Sequence, residues 1–353
     1  MKKEFIKIFQ IATVFIGTIV GAGLASGKEI TQFFTTFGSK SFIGIILCGI
    51  FYIAMGTIIS KIALLYKLNS YTDVMKVISP NILGKLTGII TTLYLISSAS
   101  IILAGSGALI NQFFGVPKLI GSLLMLILAS IFLLRGTDGL IEVNSFIVPA
   151  LITTMTTITI LYFIFCRDMV TVENIVSFPP KKEGIWLSTL LYAGYNVLCC
   201  SGVLAPLSTQ MKKSRTMTIG ISVGALGLTI LCCMINLMLT INQPYIYEYE
   251  IPLLFIAQRF GPLIQAILLV VIWLEMFSTE VSDVYSISKS LEQTFNIKFK
   301  LGIFIVLAFA LPISQIGFGN LISTLYPLFG LLSLIFITQC VVYYFKHKKE
   351  MTN

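Results

Sequence analysis

The stretch Gly17 to Glu29, GTIVGAGLASGKE, lies inside an apolar run that begins near Phe5. It places Gly17, Gly21, Gly23, Gly27 and Ser26 within a few helical turns. Glycine costs about 1 kcal/mol in a helix interior relative to alanine. Four of them predict that no uninterrupted helix passes through. Counting about 1.5 Å per residue from Lys7 puts Gly21 about 20 Å into a bilayer, near its middle. Main-chain N–H and C=O groups freed at that depth find no partner in lipid, so they must face protein, a cavity or a ligand. A helix broken there presents a positive N-terminal end to an anion and free carbonyls to a cation. The competing reading is that the glycines only allow close helix packing, as small-xxx-small patterns do.

Composition fixes the solvent. Of 353 residues, 56% are hydrophobic and 11% charged, with mean hydropathy +0.95. Soluble domains carry about 25% charged residues, so a polytopic membrane protein with little outside the bilayer is expected. The net charge of +9 is then a matter of loop topology and gives no ground for nucleic-acid binding. The N-terminal MKKEFIKIFQ precedes a long apolar run without a small-residue cleavage site and is read as retained. Seven cysteines lie mostly in apolar runs with no metal-ligand spacing, which suits small packing residues. The single histidine, His347, falls in the basic tail, which argues against histidine catalysis or a histidine metal site.

Apolar runs separated by polar loops define ten spans: about Lys7–Phe37 (broken), Ser41–Tyr66, Leu86–Phe114, Leu119–Leu134, Leu140–Cys166, Ile185–Gln210, Thr216–Ile241, Pro262–Lys289, Leu301–Ile316 and Leu321–Phe345. With the N-terminus inside, 17 Lys and Arg fall on inner segments and 7 on outer ones. That bias supports the count and cytoplasmic N- and C-termini. Ten spans divide into five and five, over approximately 5–166 and 184–346, within one transmembrane domain. An odd number of spans per unit inverts the second unit. The sixth span, LYAGYNVLCCSGVLAP, repeats the peculiarity of the first, with Gly194 and Gly202 about Asn196 and with Pro206 beyond. Paired interruptions in inverted halves point to a transporter's binding site, so a second break within Gly194–Gly202 is expected at the midplane. The alternative is a packing glycine and a tolerated proline.

The eighth span, VIWLEMFSTEVSDVYSIS, carries the densest intramembrane charge. Glu275, Ser278, Thr279, Ser282 and Ser286 recur at helical spacing and form one polar stripe facing the bundle. Glu275 lies deep, where an acid costs a few kcal/mol and is a functional candidate by default. It is either a proton-coupling group or a neutral acid bonded to a neighbour's backbone. Glu280 and Asp283 are expected nearer the inner surface, in a solvated vestibule. The small residues of the third span, SSASIILAGSG, read as close packing. Glu142, Asn144 and Pro149 suggest an irregular inner end to the fifth span, with Glu142 a gate residue or an interfacial acid.

GTIVGAGLASGKEITQFF, the ten spans and YAGYNVLCCSGVLAPL resemble the YkvI-type bacterial membrane proteins of the amino acid–polyamine–organocation superfamily, over nearly the whole chain. The resemblance implies an all-α, LeuT-like fold of ten transmembrane helices in a 5+5 inverted repeat, with helices 1 and 6 broken, in the bacterial cell membrane. GTIVGAG is also similar to the first-helix glycine motif of amino-acid permeases and sodium symporters. In those families the unwound backbone binds the solute, and many members hold sodium between the first and eighth helices. Carried over, the amides of Ala22, Gly23 and Leu24 would face a substrate carboxylate, with Tyr195 and Asn196 contributing from the sixth span. The carbonyls of Gly17 and Val20 with the hydroxyls of Ser278 and Thr279 would hold Na+.

These readings converge on a secondary active transporter of a small zwitterionic solute, an amino acid or related amine, coupled to Na+ or H+ by alternating access. The chain has no GxxxxGK[ST] nucleotide motif, and it is not expected to be an enzyme. No cofactor beyond Na+ is expected. The alternative is a nutrient sensor or receptor built on a transporter fold.

Overall fold

Long apolar runs leave the backbone one way to satisfy its hydrogen bonds in lipid, and the chain takes it: it is helical nearly throughout. The structure is a computed structural model and describes residues 2–68, 71–79, 82–135 and 140–352. The helices are α1 (Lys2–Ile19), α2 (Ala22–Ser26), α3 (Lys28–Phe33), α4 (Ser41–Tyr66), α5 (Tyr71–Ile78), α6 (Ile82–Phe114), α7 (Lys118–Arg135), α8 (Leu140–Phe165), α9 (Val172–Ser177), α10 (Ile185–Met211), α11 (Ser214–Ile241), α12 (Pro252–Gln258), α13 (Pro262–Phe295), α14 (Phe299–Ser314), α15 (Phe318–Lys346) and α16 (Lys348–Thr352). Among the described residues, seven helices are long and apolar enough to cross a membrane, and 118–134 and 299–314 are shorter apolar helices. The broken α1–α2–α3 segment completes the ten expected spans. Along α4, Ile43, Ile46, Leu47 and Ile50 are exposed, a helical stripe suited to lipid.

The packing repeats itself with a shift of five spans. α1 packs on α11, and its counterpart α10 packs on α4. α6 lies against α7 as α13 lies against α14, and α8 touches α1 and α11 as α15 touches α10 and α4. Short α5 precedes α6, and short α12 precedes α13. This reciprocity is the 5+5 architecture. Loop contacts sort by the predicted side. On one face Lys118 pairs with Glu250, Lys28 Nζ donates to Tyr249 O at 2.7 Å, and Lys181 N donates to Thr36 O at 2.8 Å. On the other, Thr209 Oγ1 donates to Leu68 O at 2.7 Å and Tyr343 Oη to Tyr66 Oη at 2.8 Å.

Two sequence expectations need correction. The sixth span is not broken: α10 is helical from Ile185 to Met211, through Gly194, Gly202 and Pro206. Gly194 is a packing residue, since a Cβ there would stand 2.5 Å from Ser333 Oγ and 3.3 Å from Gly330 O on α15. Facing it, Gly330 lets α15 approach the Leu191 carbonyl, which a Cβ would meet at 2.5 Å. The fifth span is also regular, with α8 helical from Leu140 through Pro149; the side chains of Glu142 and Asn144 lie outside the described residues. The third span packs closely as its small residues suggest. Ser106 Oγ donates to Gly121 O at 2.8 Å, and a Cβ on Gly107 would lie 2.6 Å from Lys118 O.

Two glycines test the continuity of α10 and its fit to α15. Gly202 has open space at its Cβ position, so Gly202→Ala should stabilise by about 0.5–1 kcal/mol, as alanine does in an unbroken helix. Gly330→Ala should destabilise by about 1–3 kcal/mol, because the clash is with backbone. Thermal unfolding of the detergent-purified variants measures both; a loss of stability in Gly202→Ala would count against a continuous α10.

Candidate functional site

The break in the first span is where the glycines place it. α1 ends at Ile19, Gly21 is extended (φ −118°, ψ −169°), and Gly27 is left-handed (φ +82°) between α2 and α3. Only Gly27 needs glycine for its backbone. Gly21 adopts angles open to any residue, and nothing lies within 4 Å of its Cβ position. The joint is fastened locally: Val20 N donates to Ile16 O at 2.8 Å, Ala25 N to Gly21 O at 3.0 Å and Ser26 Oγ to Gly23 O at 2.9 Å. The amides of Ala22, Gly23 and Leu24 are the first-turn donors that a helix leaves without an intrahelical partner. Val20 and all of Ala22–Ser26 are buried.

What lies against this turn is a side chain that sequence reasoning passed over. Glu29 is 2% exposed, and it folds back so that a Cβ on Gly23 would overlap its carboxylate. Tyr195 Oη donates to Glu29 Oε2 at 2.7 Å, and Tyr192 and Tyr326 flank the same carboxylate. A hydrogen bond to a charged group is worth about 1.5–3 kcal/mol, so this contact ties the broken segment to α10. Glu29 is the sole acid between Glu4 and Asp73, in an apolar setting; that isolation was the available signal.

The other expected residues are placed as follows. Tyr195 reaches the break through Glu29. Asn196 is buried but donates to Tyr192 O at 3.0 Å, along its own helix. Gly17 faces α8, where a Cβ would lie 2.8 Å from Val148 Cγ2. Val20 follows the last turn of α1, and α2 packs on α13, which carries Ser278 and Thr279. Thr279 Oγ1 donates to Glu275 O at 3.0 Å, leaving the oxygen's lone pairs free to accept. Carbonyl and hydroxyl oxygens are the donors a hard cation takes, and the residue types present fit Na+.

The α13 stripe corrects a further expectation. Glu280 and Asp283 do not face a solvated vestibule: they are 0% and 7% exposed, and Glu275 is 2% exposed. Among the described residues, neither Glu280 carboxylate oxygen nor Asp283 Oδ2 has a hydrogen-bond partner, while Ser98 on α6 bonds the Asp283 side chain. The packing of α6, α14 and α8 around α13 withdraws these acids from water. Among the described residues, none of the four buried acids makes an ion pair.

Gly27→Ala should cost about 1–2 kcal/mol through its left-handed backbone, whereas Gly21→Ala should change stability by less than about 0.5 kcal/mol. Thermal unfolding of the two variants checks the assignment; equal losses would mean the joint is held by something other than Gly27.

No family model matches the chain. The membrane protein YkvI of Bacillus subtilis (strain 168) is 31% identical over 329 residues, 93% of each chain. Protein YyaD of the same organism is 24% identical over 93% of this chain and 94% of its own. Among solved structures, MhsT in complex with L-phenylalanine superposes with TM-score 0.67 at 15% identity, over 95% of this chain and 91% of that one. Mhp1, a nucleobase-cation-symport-1 family transporter, does so at 0.65 and 12%, over 97% and 79%. These likenesses establish the LeuT-like fold. By its sequence, the chain belongs to the family of the membrane protein YkvI.

Proposed function

We propose that the chain is a secondary transporter of a small amine-bearing solute, an amino acid (zwitterionic) or a related amine, working by alternating access in the bacterial cell membrane with both termini cytoplasmic. The observation that carries this reading is the first span: it is broken at mid-length, its central turn Ala22–Ser26 is wholly buried, and it lies against α10 and α13. A break at that depth is of use only if something other than lipid answers its main-chain groups. The solute's polar end belongs beside Ala22, Gly23 and Leu24, with Tyr195 and Asn196 on the facing helix. The fold shared with MhsT and Mhp1 adds support by analogy, as a fold alone does.

Coupling has two chemically distinct sources. Na+ would sit between the Gly17 and Val20 carbonyls and the Ser278 and Thr279 hydroxyls. A proton would be carried by Glu275, the deep acid of α13.

Uptake into proteoliposomes, with sodium and pH gradients imposed separately, tests the reading. Sodium coupling requires accumulation under a sodium gradient and a raised sodium requirement in Thr279→Ala. Proton coupling requires accumulation under a pH gradient alone, with Glu275→Gln blocking accumulation and sparing exchange. In either case Gly23→Leu should abolish uptake, because its side chain would invade the packed turn. Binding of amines or amino acids without uptake would replace the transporter with a sensor.

A further inference from the structure

Glu29 is a carboxylate inside a box of rings. Tyr195 bonds its Oε2, Gly23 backs it, and Tyr192 and Tyr326 flank it. The rings touch one another. Tyr195 stacks on Tyr326 with centroids 4.7 Å apart and meets Tyr192 edge-on at 5.4 Å, while Phe33 lies 5.2 Å from Tyr192. Among the described residues no cationic side chain pairs with Glu29; its neighbour Lys28 sends Nζ outward to Tyr249 O. A charge removed from water needs a partner of opposite sign, and aromatic rings supply attraction for organic cations in particular. The protein contributes the anion and the rings. Such a set is chemically complementary to an organic cation.

The same geometry limits what else the site accepts. The small space over Gly23, at the first turn of α2, is filled by the Glu29 side chain itself. A solute carboxylate arriving there would have to displace it or face it, and like charges brought together cost several kcal/mol. Glu29 thus occupies the position where an amino acid's carboxylate would otherwise lie.

We propose that Glu29 receives the ammonium group of the solute within this ring cluster, and that the solute is a primary organic amine without an α-carboxylate. This rests on the solute site proposed above at the break, and it narrows that site's chemistry from amine-bearing solutes in general to cationic amines.

The test is direct binding to the purified full-length protein, by thermal shift and by isothermal titration. The probes are matched pairs that differ by one carboxylate: 2-phenylethylamine with phenylalanine, 1,4-diaminobutane with ornithine, and n-butylamine with norvaline. At least one amine should bind about tenfold or more tightly than its parent amino acid, and Glu29→Gln should weaken that amine about tenfold or more, as loss of a charged hydrogen bond does. The fully N-acetylated amine, which keeps the carbon chain and loses every ammonium charge, should not bind the wild type; this arm holds even if Glu29→Gln misfolds. Amino acids binding as well as the amines, acetylated amine binding as well as the free one, unchanged amine affinity in folded Glu29→Gln, or no binding across the panel would each overturn the proposal. Transport is scored separately. Amine binding without uptake removes the transporter and keeps the Glu29 site; uptake of amino acids in preference to amines does the reverse.

Discussion

A carboxylate shut away from water must be answered by its surroundings, and among the described residues this bundle holds four: Glu29, Glu275, Glu280 and Asp283. In a helical membrane protein apolar packing is cheap and charge is not. The positions of these acids therefore say more about the molecule than its long helices do. Three of them share α13, and the fourth stands on the broken first span. Between the two sets lies Tyr326 on α15, within electrostatic reach of both Glu29 and Asp283. Through Tyr326, polar groups of the broken span and of α13 share surroundings on α15, although the helices around them are apolar.

The broken span is shaped by that region. Gly27 turns the chain into the left-handed conformation, and Gly23 removes the side chain that would keep Glu29 away. The consequence is a helix start and a carboxylate packed together in the space of one turn. Further out, Ser188 Oγ donates to Phe33 O at 2.7 Å. Thr35 Oγ1 donates to Asn236 Oδ1 at 2.9 Å, and Asn236 Nδ2 donates to Ser41 Oγ at 2.8 Å. The outer end of the span is thus pinned to α10 and α11 by side chains, while the break itself depends on a few local bonds.

Much of this was legible in the sequence because the bilayer enforces it. Hydrophobic length set the ten spans, the loop contacts group the segments on two faces as those spans require, and the glycine cluster located the first break. The misreadings share a cause: a residue type was read without its neighbour. Gly194 resembles a hinge in isolation, but Gly330 and Ser333 on α15, more than a hundred residues later, make it a packing residue. Glu280 and Asp283 sit toward the helix end in sequence, yet α6 and its neighbours close over α13 and bury them. Glu29 was visible as a lone acid, but its meaning depends on Tyr192, Tyr195 and Tyr326, which come from two other helices.

The two halves repeat their packing but not their continuity, and this asymmetry assigns them different parts. α10 stays helical from end to end and gives up only the N–H that Pro206 lacks, so it offers a fixed wall on which Tyr192 and Tyr195 are held one turn apart. The first span has surrendered several intrahelical bonds at its centre, and segments with fewer such bonds open at lower cost. Any rearrangement of α2 and α3 relative to α10 must stretch or break the Tyr195–Glu29 bond, since one partner stands on each side. A ligand that replaced the tyrosine hydroxyl on that carboxylate would compensate for the loss. The chemistry at Glu29 and the mechanics of the break are therefore joined through a single hydrogen bond.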